Sequence, residues 1–176
     1  MDSKILLYNS GGGLGDAIQL FPLILSLKNH FKSTDFYYLG AHENHFIGKL
    51  KNYNVEIKSL DLGLQYFGFR WWHLLKAKNK FLEVNLEKFD LIIDLQSKLR
   101  NTLILKRIPS VKFYSSTFNY YFCSLKKDYL SNNNISQKTI LNLEKLLDVN
   151  IQKVDFSLDN LDQIYINEAK KLLPDS

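Results

Sequence analysis

The residue best placed to do chemistry is Asp16. It closes the stretch "SGGGLGD", Ser10 to Asp16, in which four of the five residues from 11 to 15 are glycine. An apolar run, "KILLYN", stands before this turn and a helix-like run, "AIQLFPLILSL", after it. Glycines admit positive φ and let a ligand approach the main chain. The helix start behind them offers unpaired N–H groups and the positive end of a dipole. A dinucleotide fingerprint would need G-x-G-x-x-G. Aligned on Gly11 and Gly13, its third glycine falls on Asp16, and a carboxylate there repels a pyrophosphate. A P-loop would need G-K-[ST], and Gly15-Asp16-Ala17 brings no lysine. What remains is a loop that presents a carboxylate to a ligand, where it can serve as general base. A structural reading stands beside it, because Asp is also a favoured helix N-cap.

The elements that must position Asp16 alternate. "KILLYN" (4–9) reads as a buried strand, and 16–31 carries apolar residues at helical spacing, with Pro22 set to kink or restart the helix. "DFYYLG" (35–40) and "NVEIKSL" (54–60) read as strands, with a short helix expected over 42–51. "FDLIIDL" (89–95) has the continuous apolar run of a strand covered on both faces. A helix over 97–108, a strand over 110–116 and helices over 136–149 and 161–173 follow. The segment 61–88 is less regular and reads as an excursion above the sheet. This alternation predicts an α/β fold, Rossmann-like, with a mostly parallel sheet and helices on both faces. Ligands of such sheets bind beyond the carboxyl ends of the strands, where the glycine turn sits. The 176 residues suffice for a single domain.

With these elements in mind, the sequence resembles the ADP-heptose:lipopolysaccharide heptosyltransferases, glycosyltransferase family nine. Gly15, Asp16 and Pro22 match that family's Gly-Asp and the proline six residues beyond it. "FDLIIDLQSKLRNTLIL" (89–105) looks like its Tyr/Phe-Asp-x-x-Ile-Asp-x-Gln-Gly segment, with Asp90, Asp94 and Gln96 matching and Ser97 in place of the glycine. "VKFYSS" and "SQKTILNLEKLL" fit the strand and helix that come later. The resemblance covers essentially the whole chain and implies the N-terminal, acceptor-binding half of a two-domain GT-B enzyme that transfers with inversion. It implies that Asp16 deprotonates the acceptor hydroxyl, and that Gly12, Gly13, Leu14 and Gly15 make room for the sugar. The C-terminal donor-binding domain is expected to be absent from residues 1–176. The expected function is transfer of a sugar from a nucleotide-sugar such as ADP-heptose to a lipopolysaccharide-core-type acceptor. As this chain alone the enzyme is expected to be incomplete and inactive. The alternative is a non-catalytic sugar- or nucleotide-binding module. No cofactor and no metal are expected.

Further candidates depend on that frame. Lys98 and Arg100 open the helix after "IIDLQ" and either hold acceptor phosphates or carboxylates or form a solvated face. Gln96 is set to hydrogen-bond ligand or loop. Arg70 lies where the family carries acceptor-binding basic residues. Trp71 and Trp72 stack on a sugar, touch membrane or, the commoner use, pack in a core. Asp94 is expected to order its loop. His42 and His45 form H-x-x-H without the zinc-protease pattern and read as surface residues.

Composition bounds the rest. The net charge of +5 suits an anionic partner but is too small and dispersed to argue nucleic acid. The one cysteine, Cys123, allows no internal disulfide, fits a reducing compartment and reads as a core residue. The longest apolar stretch, 17–27, is too short to span a bilayer. The expectation is a cytoplasmic protein, at most peripheral on the inner membrane.

Overall fold

The computed structural model describes residues 3–154, apart from 12, 41–43, 54 and 132–133, together with residue 167. The helix expected over 161–173 lies outside the described residues, residue 167 excepted. Five strands form one sheet: β1 (Ser3–Asn9), β2 (Thr34–Gly40), β3 (Lys58–Ser59), β4 (Phe89–Asp94) and β5 (Ser110–Ser115). Their order is β3-β2-β1-β4-β5 and every pairing is parallel. The helices are α1 (Leu14–Gln19), α2 (Phe21–His30), α3 (His73–Glu83), α4 (Leu99–Leu105), the short α5 (Thr117–Tyr120) and α6 (Ile135–Leu147).

The continuous apolar runs in the strands have a direct structural cause: both faces of the sheet are buried. Ile5, Leu7, Phe36, Tyr38, Leu91 and Ile93 point to one face, where α1, α2 and α6 cover them with Phe21, Ile24, Leu27, Ile140 and Leu143. Leu6, Tyr8, Tyr37, Leu39, Ile92 and Phe113 point to the other, against Ala77 and Phe81 of α3 and Ile104 and Leu105 of α4. Each large apolar side chain removed from water this way contributes roughly 1.5–3 kcal/mol. The buried Cys123 belongs to the first of these cores.

The run 16–31 is two helices, the restart that Pro22 was expected to cause. Leu20 is the C-cap of α1 and the N-cap of α2, and Pro22 sits in the first turn of α2. Proline has no N–H to give to the carbonyl four residues back, so the first helix ends there. Residues 45–50 form turns, followed by a single 3-10 turn at Lys51–Tyr53, in place of a helix over 42–51. The third strand pairs over only two residues, Lys58 and Ser59, set against Tyr37 and Tyr38 of β2. The irregular region 61–88 contains α3, whose buried His73, Ala77 and Phe81 recur every four residues on one face. His45 is buried, while His42 lies outside the described residues. Among the described residues, no helix is long and apolar enough to cross a membrane.

Candidate functional site

The chain turns in opposite directions on either side of β1 and β4, so the loops that leave these two neighbouring strands splay apart at their carboxyl ends. In doubly wound sheets that crevice holds the ligand. The turn after β1 and the segment "LQSK" after β4 both open there.

Asp16 occupies the third position of α1. The N-cap is Gly13, with extended backbone and no side-chain cap. The capping reading of Asp16 is therefore incorrect: the aspartate is one turn too far along the chain. It is exposed, and its carboxylate folds back over the turn. A Cβ placed on Gly11 would lie 2.5 Å from Asp16 Oδ2 and 2.9 Å from its Cγ. Glycine at 11 thus leaves room for the carboxylate. A Cβ on Gly15 would meet nothing within 4 Å, so the space beside Gly15 is open. Gly13 is exposed and Leu14 is half-buried against the first core; Gly12 lies outside the described residues. The phenol of Tyr38 stands near this group. Burial, and after it the negative charge of Asp16, push Tyr38 up to about 12.

The β4 loop is tied to the β1 loop by one side chain. Gln96 donates from Nε2 to Asn9 Oδ1 at 2.5 Å and accepts from Ser10 Oγ at 2.8 Å. Asn9 Oδ1 also accepts from the Gly11 N–H at 3.0 Å. Both polar ends of the Gln96 amide are engaged, so its direct effect is to fix the turn that carries Asp16. Asp94 is 0% exposed. Its Oδ2 accepts from Thr102 Oγ1 at 2.6 Å and Ser115 Oγ at 2.8 Å, and its Oδ1 from the Gln96 N–H at 3.0 Å. Burial pushes the Asp94 carboxyl above its ordinary value, against the opposing pull of these donors. Asp94 orders the loop, as expected. Asp90 lies at the far end of β4, where its carboxylate accepts from the Lys4 N–H at 2.8 Å. Ser97 adopts φ +52°, a left-handed conformation that glycine takes at lower cost.

The basic candidates divide. Lys98 is exposed at the N-cap of α4. Arg100 Nε donates to the Gly68 carbonyl at 2.7 Å and its guanidinium lies 5.9 Å from the Phe69 ring centre. Arg70 is exposed, with its guanidinium 5.3 Å from the Trp72 ring centre. Both arginines stand near the buried His73, whose imidazole accepts from the Gly68 N–H at 3.2 Å. Burial first, then Arg70, Arg100 and Lys76, lower the His73 pKa. Trp71 and Trp72 are 56% and 53% exposed, so the core reading of both is overturned.

Sequence reasoning did not single out Asn9, Tyr38 or His73. The polar Asn9-Ser10 pair at the end of an apolar strand was the available signal for the first. The other two read as ordinary aromatic positions. A cleft of about 250 Å³ adjoins Tyr38, walled by Gly40, Asn44, Ser59, Asp61 and Phe67. The larger cavity, about 720 Å³, lies away from the chemistry, among Ile18, Pro22, Ile140 and Val154.

These features define a Rossmann-like α/β domain whose ligand edge carries a free-standing carboxylate on a glycine turn. Solved structures share that fold. The E. coli heptosyltransferase WaaC with ADP-2-deoxy-2-fluoro heptose aligns at a TM-score of 0.60, with 11% identity over 89% of this chain and 52% of that one. The same enzyme with ADP aligns at 0.57, with 12% identity over 97% and 54%. A family 9 glycosyl transferase from Veillonella parvula DSM 2008 aligns at 0.58, with 18% identity over 96% and 48%. The chain spans about half the length of each. No family model matches the sequence, and no curated protein is similar to it. The likeness therefore establishes the fold alone, a Rossmann-like α/β domain of the kind those glycosyltransferases contain.

Proposed function

We propose that the chain is the acceptor-side, N-terminal domain of an inverting, heptosyltransferase-like glycosyltransferase, with Asp16 as general base. The observation that carries this reading is the Asp16 carboxylate over Gly11, at the carboxyl end of β1, in a fold shared with glycosyltransferases. The acceptor is a sugar hydroxyl of a glycolipid or oligosaccharide seated against Gly12, Gly13, Leu14 and the open side of Gly15. Asp16 takes the hydroxyl proton. The freed oxygen lone pair attacks the anomeric carbon of the donor sugar, and the bond from that carbon to the nucleoside diphosphate breaks, its electrons leaving with the diphosphate. One displacement needs one base and no covalent intermediate. Gln96 holds the turn in register, and Arg100, Arg70 and Lys98 supply positive charge for acidic groups of the acceptor. The donor is a nucleotide-sugar of the ADP-heptose type, bound by a half of the enzyme outside these 176 residues. The reaction is placed at the cytoplasmic side of a membrane.

The test is Asp16→Asn in the protein isolated from its own cells, with sugar transfer followed as the mass increase of the acceptor. Loss of about 10²–10⁴-fold in rate with acceptor binding retained is the expected outcome. Unchanged transfer overturns the base assignment. Acceptor binding with no turnover in the unaltered protein favours the binding-module alternative.

A further inference from the structure

The surface the reaction does not use is the outer face of α3. His73, Ala77 and Phe81 turn one side of this helix into the core. The opposite side continues the spacing of Trp71 and Trp72 through Leu75, Lys78 and Leu82. Leu75 is 76% exposed and Leu82 57%. The helix is thus apolar on two faces, and the outer one has no partner among the described residues. Charge separates this face from an ordinary protein-binding patch. From Leu62 to Leu82 the chain carries Arg70, Lys76, Lys78 and Lys80 and no acidic residue. Lys80 pairs with Glu83 at 2.6 Å, whereas Lys76 and Lys78 are exposed.

We infer that this face docks on an anionic lipid bilayer. Tryptophans in the turn that leads into a short helix and leucines on its outer side, flanked by lysines, enter the headgroup region while the lysines meet the phosphates. Tryptophan favours that depth because its ring is apolar and its N–H is polar. The placement also suits the site. α3 begins at the carboxyl edge of the sheet, and the loop before it is held to α4 through Gly68 and Arg100. Docking there lays the ligand edge beside the membrane, where a lipid-linked substrate arrives. Lipid binding itself does not depend on the glycosyl-transfer reading.

The chain's two tryptophans are Trp71 and Trp72, so intrinsic emission reports on this face alone. Full chain is titrated with vesicles of phosphatidylcholine, with and without phosphatidylglycerol, carrying no sugar. A blue shift and co-sedimentation with the phosphatidylglycerol vesicles only, weakened by added salt, is the expected result. The Trp71→Ser, Leu75→Ser double variant abolishes co-sedimentation while circular dichroism stays unchanged. Lys76→Glu with Lys78→Glu weakens it by about tenfold or more. Absence of binding to anionic vesicles overturns the inference, as does equal binding by the double variants. A blue shift that grows with protein concentration in the absence of vesicles overturns it in favour of a second copy of the chain. Because no acceptor is present, failure here leaves the Asp16 experiment unaffected.

Discussion

Two aspartates stand at the carboxyl ends of neighbouring strands, one in the first turn of α1, just after β1, and one at the last residue of β4. Asp94 is sealed, with three protein donors and no exposure. Asp16 is exposed and reaches over a glycine that leaves space for it. A carboxylate whose lone pairs the fold has filled can hold a loop but cannot accept a substrate proton. A carboxylate left open can. The β4 loop is therefore the anchor, tied through Gln96 to the turn after β1, and Asp16 is the carboxylate left accessible.

The sharpest way to break this comparison is to remove both carboxylates in turn. Asp94→Ala strands the donors of Thr102, Ser115 and Gln96, and urea unfolding is expected to show a loss of about 3 kcal/mol or more. Asp16→Ala is expected to stay within about 0.5 kcal/mol, as an exposed position does. Equal losses would mean that Asp16 is structural after all.

A pH series sharpens the same contrast. The Asp94 carboxyl is raised in the fold, so the folded state holds its proton to higher pH than the unfolded chain. Its contribution is complete below the ordinary value of 3.8 and is lost as pH rises through the folded pKa. The stability of the native chain relative to Asp94→Asn should fall across that window. A difference that does not change with pH would show that burial leaves the carboxyl where water does.

Smaller effects test the glycines. Gly11→Ala pushes the Asp16 carboxylate aside without entering the core. Transfer should fall by about tenfold or more while the unfolding midpoint barely moves. Retained transfer would detach Asp16 from the reaction geometry. The smallest effect is on the other loop, where Ser97→Gly relieves a left-handed serine and should add about 0.5–1 kcal/mol. Ser97 Oγ touches Ser116 Oγ; a net loss on unfolding would show that this contact outweighs the strain.

Much of the fold was legible because it is written in local patterns. The apolar runs "ILLY" and "LIID" announce strands buried on both sides, and Pro22 announces a helix boundary. α3 is hard to read from sequence because large apolar residues on both of its faces blur the helical period: the core side has His73, Ala77 and Phe81 and the outer side Leu75 and Leu82. β3 was drawn too long because hydrogen bonding to β2, invisible in sequence, limits it to two residues. In the site, Asp16 stood out by its unusual neighbours, and the Asp94–Gln96 segment by its match to a family motif.

By itself the sequence determined the class of fold and the position of the glycine turn, since both follow from residue types within a few positions of one another. It did not settle whether Asp16 caps its helix or whether the core covers Trp71 and Trp72, and could not join Gln96 to Asn9 across 87 positions. Those matters were decided by tertiary structure. Which oxygen is filled, which ring is covered and which loops meet depend on groups brought together from distant parts of the chain, and only the assembled sheet sets those distances.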